Sequence, residues 1–272
     1  MVNKSFCRYT WKLQALLIKN FDLLGRSLQN VTLTAEEYMQ VQMRREKIVG
    51  GKPVENIQSW PFIGSLGGFC GGALVGDRWY LTAGHCCASI GSMRKKIYFG
   101  TTNPWTDAAR IEREVDDFVI HPDFRRADLH RDLCMVKLNE TLTFDDRVKP
   151  ICLNNQELRK NDPGFVAGWG HTEEGGPQSR DLMEVTVPIV TNEECAAAYP
   201  TRLVDHTMVC AGLPQGGMDG CQGDSGGPFT VIDDRGHVRL AGVVSWGVGC
   251  ARPGWFYFFT QQNFFRHLNF HY

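Results

Sequence analysis

The sequence predicts an all-β protein, and three observations support that prediction. Short apolar runs bounded by glycine follow one another along most of the chain. From Met183 to Ile189, apolar side chains occupy every second position, which is the period of a strand. No long helical period occurs between Ile48 and Gly254. Many short strands in one chain are typical of a barrel or a sandwich.

The chain divides near residue 47. Before that point, Leu13 to Leu24 carry apolar residues at roughly helical spacing, and Thr34 to Glu37 fit a helix capping box. This segment is predicted to be either a short helix pair or disordered. After it the strand-like runs appear in the order ALVGDRWYLTAG, RDLCMVKL, GFVAGWG, MEVTVPIV and LAGVVSWG.

Composition excludes several classes of function. The chain has 272 residues, of which 43% are hydrophobic and 22% charged, so it can bury a sizeable core and is expected to be globular. A formal net charge of -1 provides no basic field, so no nucleic-acid partner is expected. The longest apolar run near the N-terminus, Ala15 to Ile18, is too short for a membrane span or a secretory signal.

Ten cysteines favour an oxidising compartment. No pair of CxxC units and no HExxH occurs, so the cysteines are interpreted as crosslink partners, and neither a metal site nor a cofactor is expected. Glycosylation acceptors at Asn3, Asn30 and Asn139 agree with secretion. We therefore expect a secreted protein whose signal is missing because the N-terminus is truncated or mis-started.

Three short motifs carry candidate catalytic chemistry. GCQGDSGGP, from Gly220 to Pro228, places Ser225 in a glycine-rich turn whose N–H groups could face an oxyanion; the alternative is an ordinary glycine turn. LTAGHC supplies His85 at a strand end, where a histidine is more often structural. RDLCMVKL supplies Asp132 at the head of a strand, where it could orient an imidazole or lie at the surface.

Asp132 also has a competing interpretation. His130 to Leu133 mimic the catalytic loop of protein kinases, in which an asparagine follows the aspartate by five residues. Lys137 occupies that position here. Since the chain also lacks a glycine-rich phosphate loop and a downstream Asp-Phe-Gly, we reject the kinase interpretation.

The motifs together resemble the chymotrypsin-family serine proteases, in particular their trypsin-like members. IVGG, LTAGHC, GWG, GDSGGP and VSWG occur in the family's order, and His85, Asp132 and Ser225 follow the order His, Asp, Ser. The resemblance implies two six-stranded antiparallel β-barrels with the active site between them. It divides the chain into a propeptide over 1–47 and a protease domain over 48–272, with barrels over about 48–150 and 151–272.

The resemblance also assigns roles. Ser225 would be the nucleophile, His85 the general base and acid, and Asp132 the residue that orients the imidazole, with Gly223 and Ser225 supplying the oxyanion hole. The edge that binds the substrate backbone would be formed by Ser245, Trp246 and Gly247. Asp219 matches the carboxylate at the base of the trypsin specificity pocket, so peptides with Arg or Lys before the cut are the expected substrates.

Activation by cleavage is implied as well. In this family, a cut before Ile48 would release an α-amino group that pairs with Asp224, and Lys47 makes the cut site itself trypsin-like. We therefore expect a zymogen, an activating protease as a partner, protein inhibitors as further partners, and a monomeric enzyme.

Disulfide pairings follow from the same resemblance. It implies the bridges Cys70–Cys86, Cys195–Cys210 and Cys221–Cys250, and a Cys7–Cys152 bridge that would keep the propeptide attached. Cys87 and Cys134 remain; the even count favours a bridge over two buried thiols.

The C-terminal tail departs from the family. Residues 255–272 contain nine aromatics in eighteen positions. An ungapped match puts Tyr257 where the pocket needs glycine, whereas a three-residue deletion would let Gly254 serve; the favoured explanation is an error in the gene model. The tail leaves a second function open, that of a catalytically impaired homologue that binds partners.

Overall fold

The computed structural model describes residues 51–90, 95–199, 204–217 and 220–261. The predicted propeptide, Cys7, Lys47, Ile48 and Asp219 lie outside these residues. The described chain forms fourteen strands and two short α-helices. The strands are β1 (Lys52–Pro53), β2 (Ile63–Leu66), β3 (Cys70–Leu74), β4 (Trp79–Thr82), β5 (Lys96–Phe99), β6 (Ile111–Ile120), β7 (Cys134–Leu138), β8 (Cys152–Leu153), β9 (Pro163–Gly168), β10 (Met183–Val190), β11 (Met208–Ala211), β12 (Pro228–Ile232), β13 (Val238–Trp246) and β14 (Tyr257–Gln261), and the helices are α1 (Gly84–Cys87) and α2 (Asn192–Ala198), with a 3-10 helix at Ile57–Ser59.

The first six-stranded sheet closes into a barrel in the order β2-β3-β4-β7-β6-β5, with antiparallel neighbours throughout. Its interior is filled by Leu66, Leu74, Tyr80 and Phe99, none of which is more than 1% exposed. Strand β6 was not predicted, because five of its ten side chains are charged and only Val115 is buried. In β4 and β7, Thr82 pairs with Cys134, so the segments that carry His85 and Asp132 emerge side by side.

The second barrel is formed by β9-β10-β11-β14-β13-β12, and the pairing of β10 with β9 closes it. Its core includes Val166, Val187, Phe229 and Phe259. Antiparallel pairing joins all six strands, while the short strand β8 joins β13 in parallel. The predicted all-β fold with two six-stranded antiparallel barrels is therefore confirmed.

Strand β1 connects the start of the described chain to the second barrel. Strand β1 precedes the first barrel in sequence, yet Lys52 pairs with Glu184 of the second barrel. The Lys52 ammonium also lies 3.3 Å from the Glu184 carboxylate. Lys52 and Pro53 are therefore attached to the second barrel.

Four disulfides lie among the described residues: Cys70–Cys86, Cys87–Cys134, Cys195–Cys210 and Cys221–Cys250. These partners are the ones expected from the sequence. Cys152 is also disulfide-bonded, to a partner outside the described residues. The expected pairing of Cys152 with Cys7 stays a proposal.

The first part of the aromatic tail is a regular strand of the second barrel. Strand β14 lies between β11 and β13, with Tyr257 paired to Ala211 and Thr260 to Val243. Phe258 stacks on Trp246 with ring centroids 3.8 Å apart. Tyr257 therefore lies in a strand of the second barrel, whereas Gly254 lies in the turn before that strand. Residues 262–272 lie outside the described part of the chain.

Among the described residues, no helix has the length and apolar character needed to span a membrane.

Candidate active site

His85 lies on α1, directly after β4. Ala83, in extended conformation, is the N-cap of this one-turn helix, which places the His85 imidazole above the end of the first barrel. The His85 backbone N–H donates to Asp132 Oδ1 at 2.7 Å, and His85 Nδ1 lies 2.6 Å from Asp132 Oδ2. Two contacts to one carboxylate set both the position and the orientation of the ring. The imidazole side chain remains 23% exposed, and its other nitrogen, Nε2, lies 3.7 Å from Cys86 Sγ.

Asp132 is fully buried between the two barrels. Arg131, the residue before it, has φ of 48°, so a left-handed turn directs the chain into β7. The Ser245 hydroxyl, from the second barrel, donates to Asp132 Oδ2 at 2.7 Å. An ionised carboxylate tolerates burial when it is hydrogen-bonded, and here His85 and Ser245 supply the bonds. The alternative of a surface carboxylate is excluded for this residue.

Ser225 lies on the glycine-rich turn before β12. Its carbonyl accepts a hydrogen bond from Gly71 N–H at 2.8 Å, which joins the turn to the first barrel. Gly226 has φ of 80°, and a Cβ there would come within 2.2 Å of Thr82 Oγ1, so only glycine permits this approach. The described contacts include no hydrogen bond between Ser225 Oγ and His85 Nε2. In the absence of substrate, such catalytic contacts are often long.

The backbone donors on this turn are available. Gly223 has φ of 99°, a conformation that favours glycine, and a Cβ there would lie 3.0 Å from Gly170 Cα. Among the hydrogen bonds of the described residues, none uses the N–H of Gly223 or of Ser225 as a donor. Two unbonded N–H groups beside a serine side chain can stabilise an oxyanion.

Asp224 points away from Ser225 and toward the second barrel. Its Oδ1 accepts from Gly170 N–H at 2.8 Å and its Oδ2 from Cys221 N–H at 2.9 Å. Removal of the carboxyl from water raises the pKa of Asp224 to about 6, despite these two bonds. A small cavity lies beside the carboxylate, and Met183 and Glu184 contribute to its lining.

The predicted specificity pocket lies between the segments at Gly220 and Gly247. The Cys221–Cys250 disulfide ties these two segments together. The ring of Tyr257 lies between them, as a Cβ built on Gly247 would fall 2.5 Å from its Cδ2 atom. Asp219, the predicted charged base of the pocket, lies outside the described residues.

The structure thus brings His85, Asp132 and Ser245 into direct contact, with Ser225 on the adjoining turn. The contact between Ser245 and Asp132 was not predicted, since the two are 113 residues apart and no local pattern links them. Ligand atoms of Cys70, His85 and Cys86 lie within 4.8 Å of one another. The two sulfurs are joined in a disulfide, however, so they are not thiolate ligands for a metal.

Comparison with known proteins agrees with this geometry. The family model described as Trypsin matches residues 48–267. Trypsin-1 of Astacus astacus is 34% identical over 231 residues, which cover 80% of this chain and 94% of that protein. A venom protease of Bombus pensylvanicus is 37% identical, covering 76% of this chain and 90% of its own length. Trypsin 5G1 of Aedes aegypti is 39% identical, covering 77% and 78%. The chain therefore belongs to the trypsin-like members of the chymotrypsin family of serine proteases.

Proposed function

We propose that the protein is a serine endopeptidase that hydrolyses peptide bonds through an acyl-enzyme. Ser225 Oγ attacks the scissile carbonyl while His85 Nε2 takes its proton, and the protonated imidazole then gives that proton to the leaving amine. A water molecule, deprotonated by His85, then attacks the acyl-enzyme carbonyl, and His85 returns the proton to Ser225 Oγ, which regenerates the free serine. The observation that carries the proposal is the buried contact of Asp132 with both His85 and Ser245, which fixes the imidazole tautomer.

The tetrahedral intermediate carries a negative charge on its oxygen, which must be stabilised by hydrogen-bond donors. We assign that role to the N–H groups of Gly223 and Ser225, which make no other hydrogen bond among the described residues. Loss of one such donor typically costs about 3 kcal/mol in the activation barrier. We assign binding of the substrate backbone to the strand edge at the end of β13, which Ser245, Trp246 and Gly247 form.

The preference for Arg or Lys before the cut is the one that an Asp219 carboxylate would supply in an open pocket. That expectation rests on Asp219, which lies outside the described residues, and it applies only if the ring of Tyr257 leaves the pocket open. Protein or peptide substrates follow from the family, and protein inhibitors are expected partners. Four disulfides in the described chain favour an extracellular location, and a monomeric enzyme remains the expectation.

Activation is assigned to cleavage between Lys47 and Ile48. The family match begins at Ile48, and Lys52 is fixed to Glu184, which lines the cavity beside Asp224. The four residues from Ile48 to Lys52 span at most about 14 Å when extended, so the new terminus would remain within that distance of Lys52. A buried carboxylate with a raised pKa gains from a cation, and the Ile48 ammonium would supply one.

A second candidate is a protease homologue that binds partners without catalysis. The ring of Tyr257, which lies 2.5 Å from a Cβ built on Gly247, favours this candidate. Under it, the folded surface would be retained but Ser225 would not react.

Covalent labelling separates the two candidates. After cleavage at Lys47, a small organophosphate should modify Ser225 stoichiometrically, as mass spectrometry of the active-site peptide would show. The reagent is small enough to react without occupying the specificity pocket. Ser225→Ala is the matched control and should remain unlabelled. An activated protein with no modified Ser225 would exclude the enzyme and favour the binding homologue.

A further inference from the structure

Tyr257 occupies the space in which a substrate side chain would lie. Its side chain is almost fully buried, with 6% of the residue exposed. A Cβ added to Gly247 would meet the ring at 2.5 Å, and one added to Gly220 would meet it at 3.8 Å. The ring therefore lies between the two glycine segments that form opposite walls of the predicted pocket.

The ring cannot move aside without disturbing the barrel. Tyr257 begins β14, where its backbone is paired with Ala211 of the neighbouring strand β11. Its side chain belongs to the core of the second barrel, with the Phe259 ring centroid 5.9 Å away. Because packed cores do not deform continuously, displacing the ring into another position would require neighbouring side chains to repack.

The glycines and the tyrosine are complementary in volume. Any side chain at Gly247 would collide with the ring, whereas glycine leaves room for it. A guanidinium or a second aromatic ring entering between the same walls would have to share that volume. A methyl or hydroxymethyl group reaches only the mouth of the pocket and avoids the conflict.

We propose that Tyr257 is a specificity-determining residue that closes the depth of the pocket, so that the enzyme cleaves after Ala, Gly or Ser rather than after Arg, Lys or aromatic residues. The inference rests on the proposed endopeptidase activity and concerns the same site. A carboxylate such as Asp219 can select a cationic side chain only if that side chain has room to enter, and the Tyr257 ring fills the space between Gly220 and Gly247. The volume left free between Gly220 and the Tyr257 ring therefore determines which side chain the pocket accepts.

The test compares peptides that differ only in having Ala, Arg or Phe before the cut. The activated wild type and three variants are used: Tyr257→Gly and Tyr257→Ala, which remove the ring, and Tyr257→Phe, which keeps it. Each kcat/KM is divided by the fraction of Ser225 that reacts with the organophosphate, so poorly folded protein does not contribute. The two ring-deleting variants guard against the failure of either one to fold.

We expect wild type and Tyr257→Phe to favour Ala over Arg by about 100-fold, the scale at which a pocket rejects a group that does not fit. Removal of the ring should shift that ratio toward Arg by a similar factor. A labelled wild type that cleaves best after Arg or Phe would overturn this inference alone, as would an unchanged ratio in a labelled ring-deleting variant. Absence of labelling in wild type would overturn the proposed activity, and this inference with it.

Discussion

Two acidic residues of the site, Asp132 and Asp224, are held by different kinds of donors. Asp132 contacts the side chains of His85 and Ser245, and it also accepts a hydrogen bond from the His85 backbone N–H. Asp224 instead receives only backbone N–H groups, from Gly170 and Cys221, in the described structure. Backbone dipoles offset part of the cost of burying its charge, and the remainder appears as the raised pKa.

The raised pKa of Asp224 predicts how the stability of the uncleaved chain depends on pH. The carboxyl binds its proton more tightly when folded, with a pKa of about 6 against an ordinary value of 3.8. The free energy of unfolding should therefore fall as pH rises from about 4 to about 6. Asp224→Asn should flatten the profile over this window. Urea unfolding midpoints in a Ser225→Ala background, which prevents self-digestion, measure the effect.

Asp233 provides the matched control. Burial would raise its pKa, but hydrogen bonds from the His237 backbone and the Arg239 side chain outweigh burial and lower the pKa to about 2. Its titration affects stability only below about pH 4, where stability is lost as pH falls. Asp233→Asn should therefore leave the slope between pH 4 and 6 unchanged. Equal slopes in wild type and Asp224→Asn would contradict the account of Asp224.

At the scale of elements, α1 and β7 carry the two first-barrel residues of the site, and a covalent link joins them. The Cys87–Cys134 disulfide connects the last residue of α1 to the first residue of β7. His85 and Asp132 each lie two residues before one of these cysteines. The bridge therefore limits how far the two elements can separate.

Removal of this bridge should be costly. It closes a sequence separation of 47, for which chain entropy predicts a loss of about 4 kcal/mol. Replacing both Cys87 and Cys134 with serine should lower the melting temperature by roughly 10 °C, measured by calorimetry. Removing Cys195–Cys210, with a separation of 15, is the matched control and should cost about 3 kcal/mol. No loss of stability in the Cys87–Cys134 variant would contradict the entropic account.

At the scale of the whole molecule, the site exists only where the barrels meet. His85 and Asp132 come from the first barrel, and Ser225 and Ser245 from the second. Hydrogen bonds from Ser245 to Asp132 and from Gly71 to Ser225 cross the boundary. The relative position of the barrels therefore sets the geometry for catalysis.

The sequence predicted the strands whose pattern is local. The runs at β4, β7, β9, β10 and β13 were recognised from glycine boundaries and apolar periodicity. Strand β6 was missed because a strand with an exposed face carries charged residues. Strand β14 was not expected, since a run of aromatics has no strand period until its neighbours define two buried faces.

The site residues were predictable to different degrees. Ser225 and His85 lie in short motifs, so their neighbourhoods identify them. The contact of Ser245 with Asp132 depends on the packing of two barrels, which no local pattern encodes. The position of the Tyr257 ring depends on the register of β14, and the sequence left that register open.

The placement of β1 links the N-terminal segment to the site. Although β1 precedes the first barrel, it pairs with β10, whose residues Met183 and Glu184 line the cavity beside Asp224. Under the proposed activation, a cut before Ile48 would release a terminus four residues from Lys52, whose partner Glu184 lines this cavity. We propose that the new terminus acts through Asp224 on the N–H groups of Gly223 and Ser225.

The most direct test is the rate at which an organophosphate labels Ser225 before and after treatment with trypsin, in wild type and in Lys47→Gln. We predict slow labelling of both uncut proteins, and a large increase only in wild type, coincident with a new N-terminus at Ile48. A Lys47→Gln protein that gains full reactivity with its N-terminus unprocessed would contradict the account.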